Sequence, residues 1–486
     1  MKDFFKSLVA SFLGCSIAIG IMFMIFFIIL AAMSFSSSET YSLQDKTVLT
    51  LKLDGVLSDR VEPNPLLSLL GQDATDEIGL DDVLSAIKKA KENDKIKGIY
   101  IHAGMLQASS ASLKEIRDEL IDFKESGKFV VAYGDTYLQG CYYLSTVADK
   151  VIMNPIGNLD LHGLAAGPTF YKGLLDKLGI EMQIFKVGTF KSAVEPFMLD
   201  KMSDANKEQV TSYITDVWST LLTDISVSRN ISVDSLNAIT DQMPLLRKPE
   251  ILLAKGLVDT LMYETDVKKY LKTLTETDED DKLRQASISN MTSVPFLKKD
   301  KSKDVIAILY AQGSISSGTD RDGIKDQRYV KELEKLKDND NVKAVVFRVN
   351  SPGGSAYASE QIWKAVTDLK EKKPIVVSMG DVAASGGYYI SCNASKIIAQ
   401  PNTLTGSIGI FGMFPHFEGL TNKVGLTFDP VTTNQYSDFG DVTRPMRDDE
   451  KVILPSYIDN GYDSFLTRFA AGRGISHASV DRLAPG

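Results

Sequence analysis

The sequence predicts an α/β protein in which two tandem α/β/α domains follow an N-terminal transmembrane helix. FVVAYGDTYLQGCYYL (129–144) and IVVSMGDVAASGGYYI (375–390) are copies of one segment, 246 positions apart, and a repeat this long indicates two whole domains. Short apolar strands alternate with amphipathic helices, which is typical of a parallel sheet with helices on its faces. Near the N-terminus, Leu8–Met33 is apolar and uncharged, and about 20 such residues span a bilayer.

The apolar run predicts a membrane anchor over residues 1–34. It is too long for the apolar region of an ordinary secretory signal, which has about 7–15 residues. Lys2 and Lys6 precede it, and positive charge favours the cytoplasmic side of a membrane. We therefore expect a single-pass protein with its bulk outside the cytoplasm; a cleaved signal peptide is the alternative.

Each repeat is predicted to be one domain. The first spans 47–272, with strands at 48–53, 96–102 and 129–134 and helices at 80–93 and 112–127. The second spans 304–486 and repeats this order from a strand at 305–311. The polar, charged segment 275–303 is predicted to be a linker. The second repeat stops at a position that matches Gln242 of the first, so we expect it to be truncated at its C-terminus.

Composition excludes several classes of protein. The net charge of −9 argues against nucleic acid as a partner. The three cysteines form neither a disulfide framework nor a CxxC metal motif. We expect no cofactor and no bound metal.

A glycine turn in the second repeat is a candidate oxyanion site. VNSPGGS (349–355) follows an apolar strand, and its paired glycines allow unusual φ values and close backbone approach. Such a turn can aim N–H groups at a developing negative charge. An ordinary strand-to-helix turn is the alternative, but the first repeat has Leu106, Gln107 and Ala108 in place of PGG. The fold does not require the glycines, so a functional role is favoured.

Ser385 is a candidate nucleophile. It lies between a predicted strand and a helix start, among small residues, and the adjacent Gly386 can supply both a sharp turn and a backbone N–H. The alternative is that Ser385 is a helix N-cap, a common use of serine. The glycine turn upstream favours the nucleophile.

The repeats divide two catalytic-type residues between them. Gln139 stands where the second repeat has Ser385, and Ser437 stands where the first has Lys191. None of the four histidines lies in a recognisable catalytic context, so a Ser–His–Asp triad is poorly supported. A Ser–Lys pair is a known variant, and its lysine needs a pKa lowered by burial or by nearby positive charge.

Four motifs together resemble one enzyme family. GTFKSAVEPF, VNSPGGS, GDVAASGGYYIS and TLTGSIGIFG occur in this order and resemble the long, duplicated form of signal peptide peptidase A. The family consists of bacterial membrane-anchored serine proteases with the Clp/crotonase fold. The resemblance implies two Clp/crotonase-like domains, Ser385 as the nucleophile and Lys191 as the general base. It also implies that Gly354 and Gly386 donate their N–H groups to the oxyanion.

The resemblance further implies a substrate and an assembly. The expected substrates are cleaved signal peptides, and the expected location is the bacterial inner membrane with the catalytic domains on the periplasmic side. We expect a homo-oligomer, a tetramer as the family suggests, with Lys191 and Ser385 meeting at a domain–domain interface. A pair from neighbouring chains is favoured, and a pair within one chain is the alternative. Two alternatives are a crotonase-like acyl-CoA enzyme, against which the anchor and Ser385 count, and a catalytically silent membrane scaffold.

Overall fold

The computed structural model describes residues 2–35, 41–61, 77–297 and 302–484. Helix α1 (Lys2–Phe35) contains the predicted anchor. Its segment Phe4–Phe27 is long and apolar enough to cross a membrane, and none of its most apolar stretch is buried against the described chain. The helix therefore has the length and exposure that a lipid-facing segment requires.

The first domain is built on a seven-stranded sheet in which every pairing is parallel. Its strands are β1 (Thr47–Ser58), β2 (Glu77–Gly79), β3 (Ile96–Gln107), β4 (Phe129–Tyr137), β5 (Lys150–Leu159), β7 (Thr260–Leu261) and β8 (Gln285–Ser287). They run in the order β2–β1–β3–β4–β5–β7, with β8 also paired to β1. The three longer strands predicted for this repeat are thereby confirmed as parts of β1, β3 and β4.

Helices cover both faces of the first sheet. In chain order they are α2 (Leu80–Glu92), α3 (Ser110–Lys124), α4 (Gln139–Ser145), α5 (Lys172–Leu178), α6 (Glu195–Met198), α7 (Asp204–Arg229), α8 (Val233–Thr240), α9 (Pro249–Ala254), α10 (Glu264–Leu274) and α11 (Ile288–Thr292). Residues of α2, α3 and α4 fill the main core. On the opposite face, Val267 and Leu271 of α10 pack on Val48 and Tyr100. Double coverage explains why these strands are almost continuously apolar.

The second domain repeats the parallel sheet with five strands in the order β14–β13–β12–β9, with β15 also on β13. Its strands are β9 (Val305–Gln312), β10 (Ile315–Ser316), β11 (Ile324–Lys325), β12 (Val342–Ser351), β13 (Ile375–Ala384), β14 (Lys396–Ile398), β15 (Leu404–Gly406) and β16 (Phe411–His416). Its helices are α12 (Asp326–Asp338), α13 (Ala356–Lys372), α14 (Gly386–Ser391), α15 (Glu418–Lys423), α16 (Asp448–Arg473) and α17 (His477–Leu483). The tandem α/β architecture predicted from the repeat is confirmed.

Part of the predicted linker belongs to the first domain. Within 275–303, strand β8 extends the sheet beside β1, and Ala286 and Met291 are fully buried. Lys89 of α2 donates a 2.7 Å hydrogen bond to the Met291 carbonyl. These apolar residues fill the sheet edge and the α2 surface, so the segment packs there despite its polar composition. Residues 298–301 of the predicted linker lie outside the described residues.

A two-stranded antiparallel ladder joins the domains. Strand β6 (Glu181–Lys186) of the first domain pairs with β16 of the second over six positions, from Lys186 opposite Phe411 to Glu181 opposite His416. The Phe185 and Phe414 rings meet edge to face with centroids 6.1 Å apart. The pairing brings the chain that follows β6 close to the chain that precedes β16.

Candidate active site

Ser385 lies at the sharp turn between β13 and α14. Its backbone has φ 54° and ψ −117°, a region that residues with a side chain rarely occupy. Its N–H donates to the Gly406 carbonyl at 2.8 Å, and its carbonyl accepts from the Tyr389 N–H at 2.9 Å. Among the described residues, its hydroxyl makes no capping bond to the helix. The serine is therefore not an ordinary N-cap, and the strained turn leaves the hydroxyl free to face another group.

The glycine turn after β12 packs against the serine turn. Gly353 and Gly354 have φ values of 97° and 153°. A Cβ added to Gly353 would lie 2.5 Å from the Gly386 nitrogen, and one added to Gly386 would lie 3.2 Å from the Gly354 nitrogen. A Cβ on Gly354 would overlap the Ile315 carbonyl oxygen. The two turns thus touch through bare backbone, which brings the amides of Gly354 and Gly386 into one small region.

Lys191 is buried beside Ser385. Only 2% of the lysine is exposed, and its Nζ lies 3.1 Å from the Ser385 Oγ. The same Nζ lies 2.9 Å from the Ser407 carbonyl oxygen and 3.0 Å from the Ser407 Oγ. Burial lowers the pKa of Lys191 to about 8, because the charged ammonium loses its hydration. About a tenth of the amine is then neutral at pH 7, far more than at the ordinary lysine pKa of about 10.4.

The start of α7 holds the loop that carries Lys191. Gln209 donates from Nε2 to the Phe190 carbonyl at 3.2 Å and to the Ser192 Oγ at 2.5 Å. The buried Glu195 carboxylate accepts from the Ser203 hydroxyl at 2.6 Å and from the Asn206 amide at 2.8 Å. Burial raises the pKa of Glu195, but these hydrogen bonds outweigh it and hold the pKa below its ordinary value. The carboxylate stays ionised and ties the loop to the helix.

The lysine and the serine come from different domains of the same chain. The structure thus agrees with the alternative of a pair within one chain and not with the favoured pair from neighbouring chains. The β6–β16 ladder is the physical reason, because the two strands that lead to Lys191 and away from Ser407 are hydrogen-bonded to each other within one chain. The sequence repeat places Lys191 and Ser385 in different domains but carries no information on the distance between them.

Ser407 also belongs to the site, and Gln139 shows what replaces Ser385 in the first domain. Ser407, with φ 48°, holds the lysine amine, and sequence reasoning did not single it out. Its place in the quoted motif TLTGSIGIFG, at the matched turn two residues before Gly409, was the available signal. Gln139 of the first repeat stands at the position that matches Ser385. Its side-chain oxygen accepts hydrogen bonds from the His162 and Gly163 amides, both at 3.1 Å. In that domain the position binds loop backbone instead of lysine.

Comparison with known proteins identifies the class and then the family. A family model described as Clp protease matches residues 297–405, in agreement with the parallel α/β fold. A model described as peptidase family S49 matches residues 122–278 and 367–486, which is more than half of the chain. The chain belongs to peptidase family S49, and it is a peptidase. This result does not favour the acyl-CoA alternative.

Three relatives align with most of the chain. Protease 4 from Haemophilus influenzae is 36% identical over 97% of this chain and 79% of its own length. Protease 4 from Salmonella typhi is 35% identical over 90% of this chain and 73% of its own length. A chloroplastic serine protease SPPA from Arabidopsis thaliana is 28% identical over 90% of this chain and 64% of its own length.

Replacing Gly353→Ala is expected to distort the contact between the two turns. The new Cβ would meet the Gly386 nitrogen and the Ser385 Cβ, at 2.5 and 2.9 Å, in a backbone conformation that costs about 1–3 kcal/mol for other residues. The midpoint of thermal unfolding should fall. Gly167→Ala is the matched control, since no atom lies within 4 Å of its added Cβ. Equal midpoints for the two variants would contradict the tight packing of the turns.

Proposed function

We propose that this peptidase is a membrane-anchored serine endopeptidase in which Ser385 is the nucleophile and Lys191 the general base. The observation that carries the proposal is the 3.1 Å approach of the Lys191 Nζ to the Ser385 Oγ at a buried position where the lysine pKa falls to about 8. A serine hydroxyl is a weak nucleophile until an adjacent base takes its proton. A lysine can do so only when it is neutral.

Ser407 orients the neutral amine. A neutral lysine carries two N–H donors and one lone pair. The Ser407 carbonyl and hydroxyl oxygens, at 2.9 and 3.0 Å, suit the two donors. The lone pair is then left for the Ser385 hydroxyl. This division of roles supports proton transfer from Ser385 to Lys191.

The proposed reaction follows the usual order of acyl transfer. The Ser385 Oγ attacks the scissile carbonyl carbon while its proton passes to the Lys191 Nζ. The oxyanion that forms accepts hydrogen bonds from the N–H groups of Gly354 and Gly386. The lysine then protonates the leaving amine as the peptide C–N bond breaks. Water then attacks the acyl-enzyme while Lys191 takes its proton, and the lysine returns that proton to the Ser385 Oγ as the ester C–O bond breaks.

Substitutions at the two proposed residues should abolish hydrolysis. Ser385→Ala is expected to lower kcat by about 10⁴-fold or more. Lys191→Met should have a comparably low rate, and Lys191→Arg should also fail because a guanidinium cannot serve as a base. The measurement is turnover of a fluorogenic peptide by full-length protein in detergent.

The control for the lysine variants is Lys207→Met, at an exposed position on α7, which should retain activity. Circular dichroism and thermal unfolding should show that each inactive variant is folded. A folded Ser385→Ala protein with wild-type turnover would overturn the assignment of the nucleophile.

We also propose that the substrates are cleaved signal peptides, handled on the periplasmic side of the bacterial inner membrane. Helix α1 supports a membrane location. Leu404 and Phe411, exposed by 40% and 37%, flank Ser407 along the chain. Such apolar side chains suit the apolar region of a signal peptide.

Protease accessibility tests this location. In intact spheroplasts, added protease should digest both domains, since Lys2 and Lys6 favour a cytoplasmic N-terminus. A cytoplasmic marker protein should stay intact as the control. Protected domains would contradict the orientation. Failure to degrade a released signal peptide, with efficient cleavage of soluble proteins, would contradict the substrate.

We further propose that the chains assemble into a homotetramer. Ile306 and Ile308 are two positions apart on β9 and therefore point to the same face of the second sheet. Their side chains are nevertheless exposed by 67% and 56%. A contiguous exposed apolar face marks an interaction surface. Head-to-tail contacts between copies close into a ring when the rotation allows it.

Mixed oligomers distinguish a site formed within one chain from a site shared between chains. Oligomers that contain differently tagged Ser385→Ala and Lys191→Met subunits should stay inactive, because neither chain holds a complete pair. Mixtures of wild-type and Ser385→Ala subunits, as the control, should be active in proportion to the wild-type subunit. Recovery of activity in the first mixture would show a site shared between chains. The absence of mixed oligomers would contradict assembly.

A further inference from the structure

A buried arginine of the second domain contacts two carboxylates of the first. Arg348 on β12 is 8% exposed and Asp59, directly after β1, is 4% exposed. The arginine donates to the Asp59 Oδ1 from Nε at 3.0 Å and from Nη2 at 2.8 Å. Its Nη1 donates to the Glu115 Oε1 of α3 at 2.8 Å. The guanidinium therefore joins the two domains through three charge-assisted hydrogen bonds.

A second contact lies on the same helix. Asp381 of β13 accepts from the Ser112 backbone N–H at 2.8 Å and from the Ser112 hydroxyl at 2.7 Å. In the described part of the chain, Ser109 caps α3 by position but makes no side-chain cap bond. Asp381 of the second domain thus accepts hydrogen bonds at the N-terminus of α3, where the helix dipole favours a carboxylate.

Both contacts are next to the proposed catalytic groups of the second domain. Arg348 lies on the strand that ends in the glycine turn, and Asp381 lies four residues before Ser385. Arg348 also donates to the Ser378 hydroxyl at 3.1 Å and to the Met379 carbonyl at 3.3 Å, so it ties β12 to β13. Ser112 and Glu115 are one helical turn apart and present one face of α3 to both strands.

Stability alone is a weak explanation for this cluster. Two carboxylates share one guanidinium in a mostly buried position, which leaves an excess of negative charge. Among the described residues, the Asp59 Oδ2 has no hydrogen-bond partner. Burial raises the pKa of Glu115 even though Arg348 opposes the rise. Buried ion pairs of this kind often stabilise a fold less than apolar packing does, but they fix geometry.

We propose that Asp381 and Arg348 are positioning residues, which dock β12 and β13 on α3 and thereby hold Ser385 at bonding distance from Lys191. This inference rests on the proposed function of the Ser385–Lys191 pair. The β6–β16 ladder is one tie between the domains, and the α3 contact is a second, separate one. Two separate contacts restrict rotation of one domain relative to the other more than the ladder alone does.

The test compares variants at Asp381 in full-length protein. Asp381→Ala removes both bonds to Ser112 and should lower kcat by about 10- to 100-fold, as expected for a small misplacement of reacting groups, with KM little changed. Asp381→Asn should retain at least a third of the wild-type kcat, because its Oδ1 can accept from the Ser112 N–H and its Nδ2 can donate to the hydroxyl. The rate of Ser385 labelling by a fluorophosphonate should fall in parallel with kcat.

Ser112→Ala tests the contact from the other domain. Its loss of kcat should be smaller than that of Asp381→Ala, and the two effects should not add in the double variant. Asp338→Ala is the matched control, because it breaks an exposed ion pair with Lys372 at the C-terminal ends of α12 and α13, and its kcat should be unchanged. If Asp381→Ala does not fold, Ser112→Ala carries the test.

Several outcomes would overturn the inference. Wild-type kcat in Asp381→Ala, or in Ser112→Ala if the former does not fold, would show that the contact does not position the serine. Equal losses in Asp381→Asn and Asp381→Ala would indicate an electrostatic role of the carboxylate instead. Turnover that persists in Ser385→Ala would contradict the proposed function itself, so the two failures are distinguishable.

Discussion

The antiparallel pairing of β6 with β16 is the constraint on which the proposed site depends. It fixes the register between a strand that leads into the Lys191 loop and a strand that follows Ser407. The pairing continues as far as a 3.4 Å hydrogen bond from the Val187 N–H to the Ile410 carbonyl. A slip of one residue would turn every side chain of the strand to the opposite face. The slip would also displace the start of the Lys191 loop by about 3.4 Å relative to β16.

The duplicated fold supplies two scaffolds with different tasks. The first domain carries a buried lysine on a loop braced by α7, and the second carries the strained serine turn and the glycine turn. At the matched position of the first domain, Gln139 binds the 162–163 backbone. The first copy therefore has a structural amide where the second has Ser385. The proposed chemistry requires both copies, because a lone Ser385 hydroxyl has no base and a lone buried lysine has no nucleophile to activate.

The sequence predicted the parts that local pattern determines. The apolar strands within β1, β3 and β4 were found because helices cover both faces of the first sheet. The turn at Ser385 was found because small residues stand between a strand and a helix.

The Ser385–Lys191 contact was expected from the family resemblance, but the other long-range contacts were not predicted. Strands β6 and β16 lie more than 200 residues apart, and strand β8 has only three residues, too few to show a period. The choice of neighbouring chains for the Ser385–Lys191 pair failed for the same reason, since a repeat offset contains no distances. Ser407 was overlooked because it acts through its backbone carbonyl as well as its hydroxyl.

The most direct measurement of the central claim is the rate of Ser385 labelling by a fluorophosphonate as a function of pH. If a buried lysine is the base, the rate should rise with pH as the amine loses its proton. Its midpoint should lie near the Lys191 pKa of about 8. In folded Lys191→Met protein the labelling should be slow at every pH, with no inflection near that value. A wild-type pH profile in Lys191→Met, or a wild-type midpoint near the ordinary lysine pKa of about 10.4, would contradict the account.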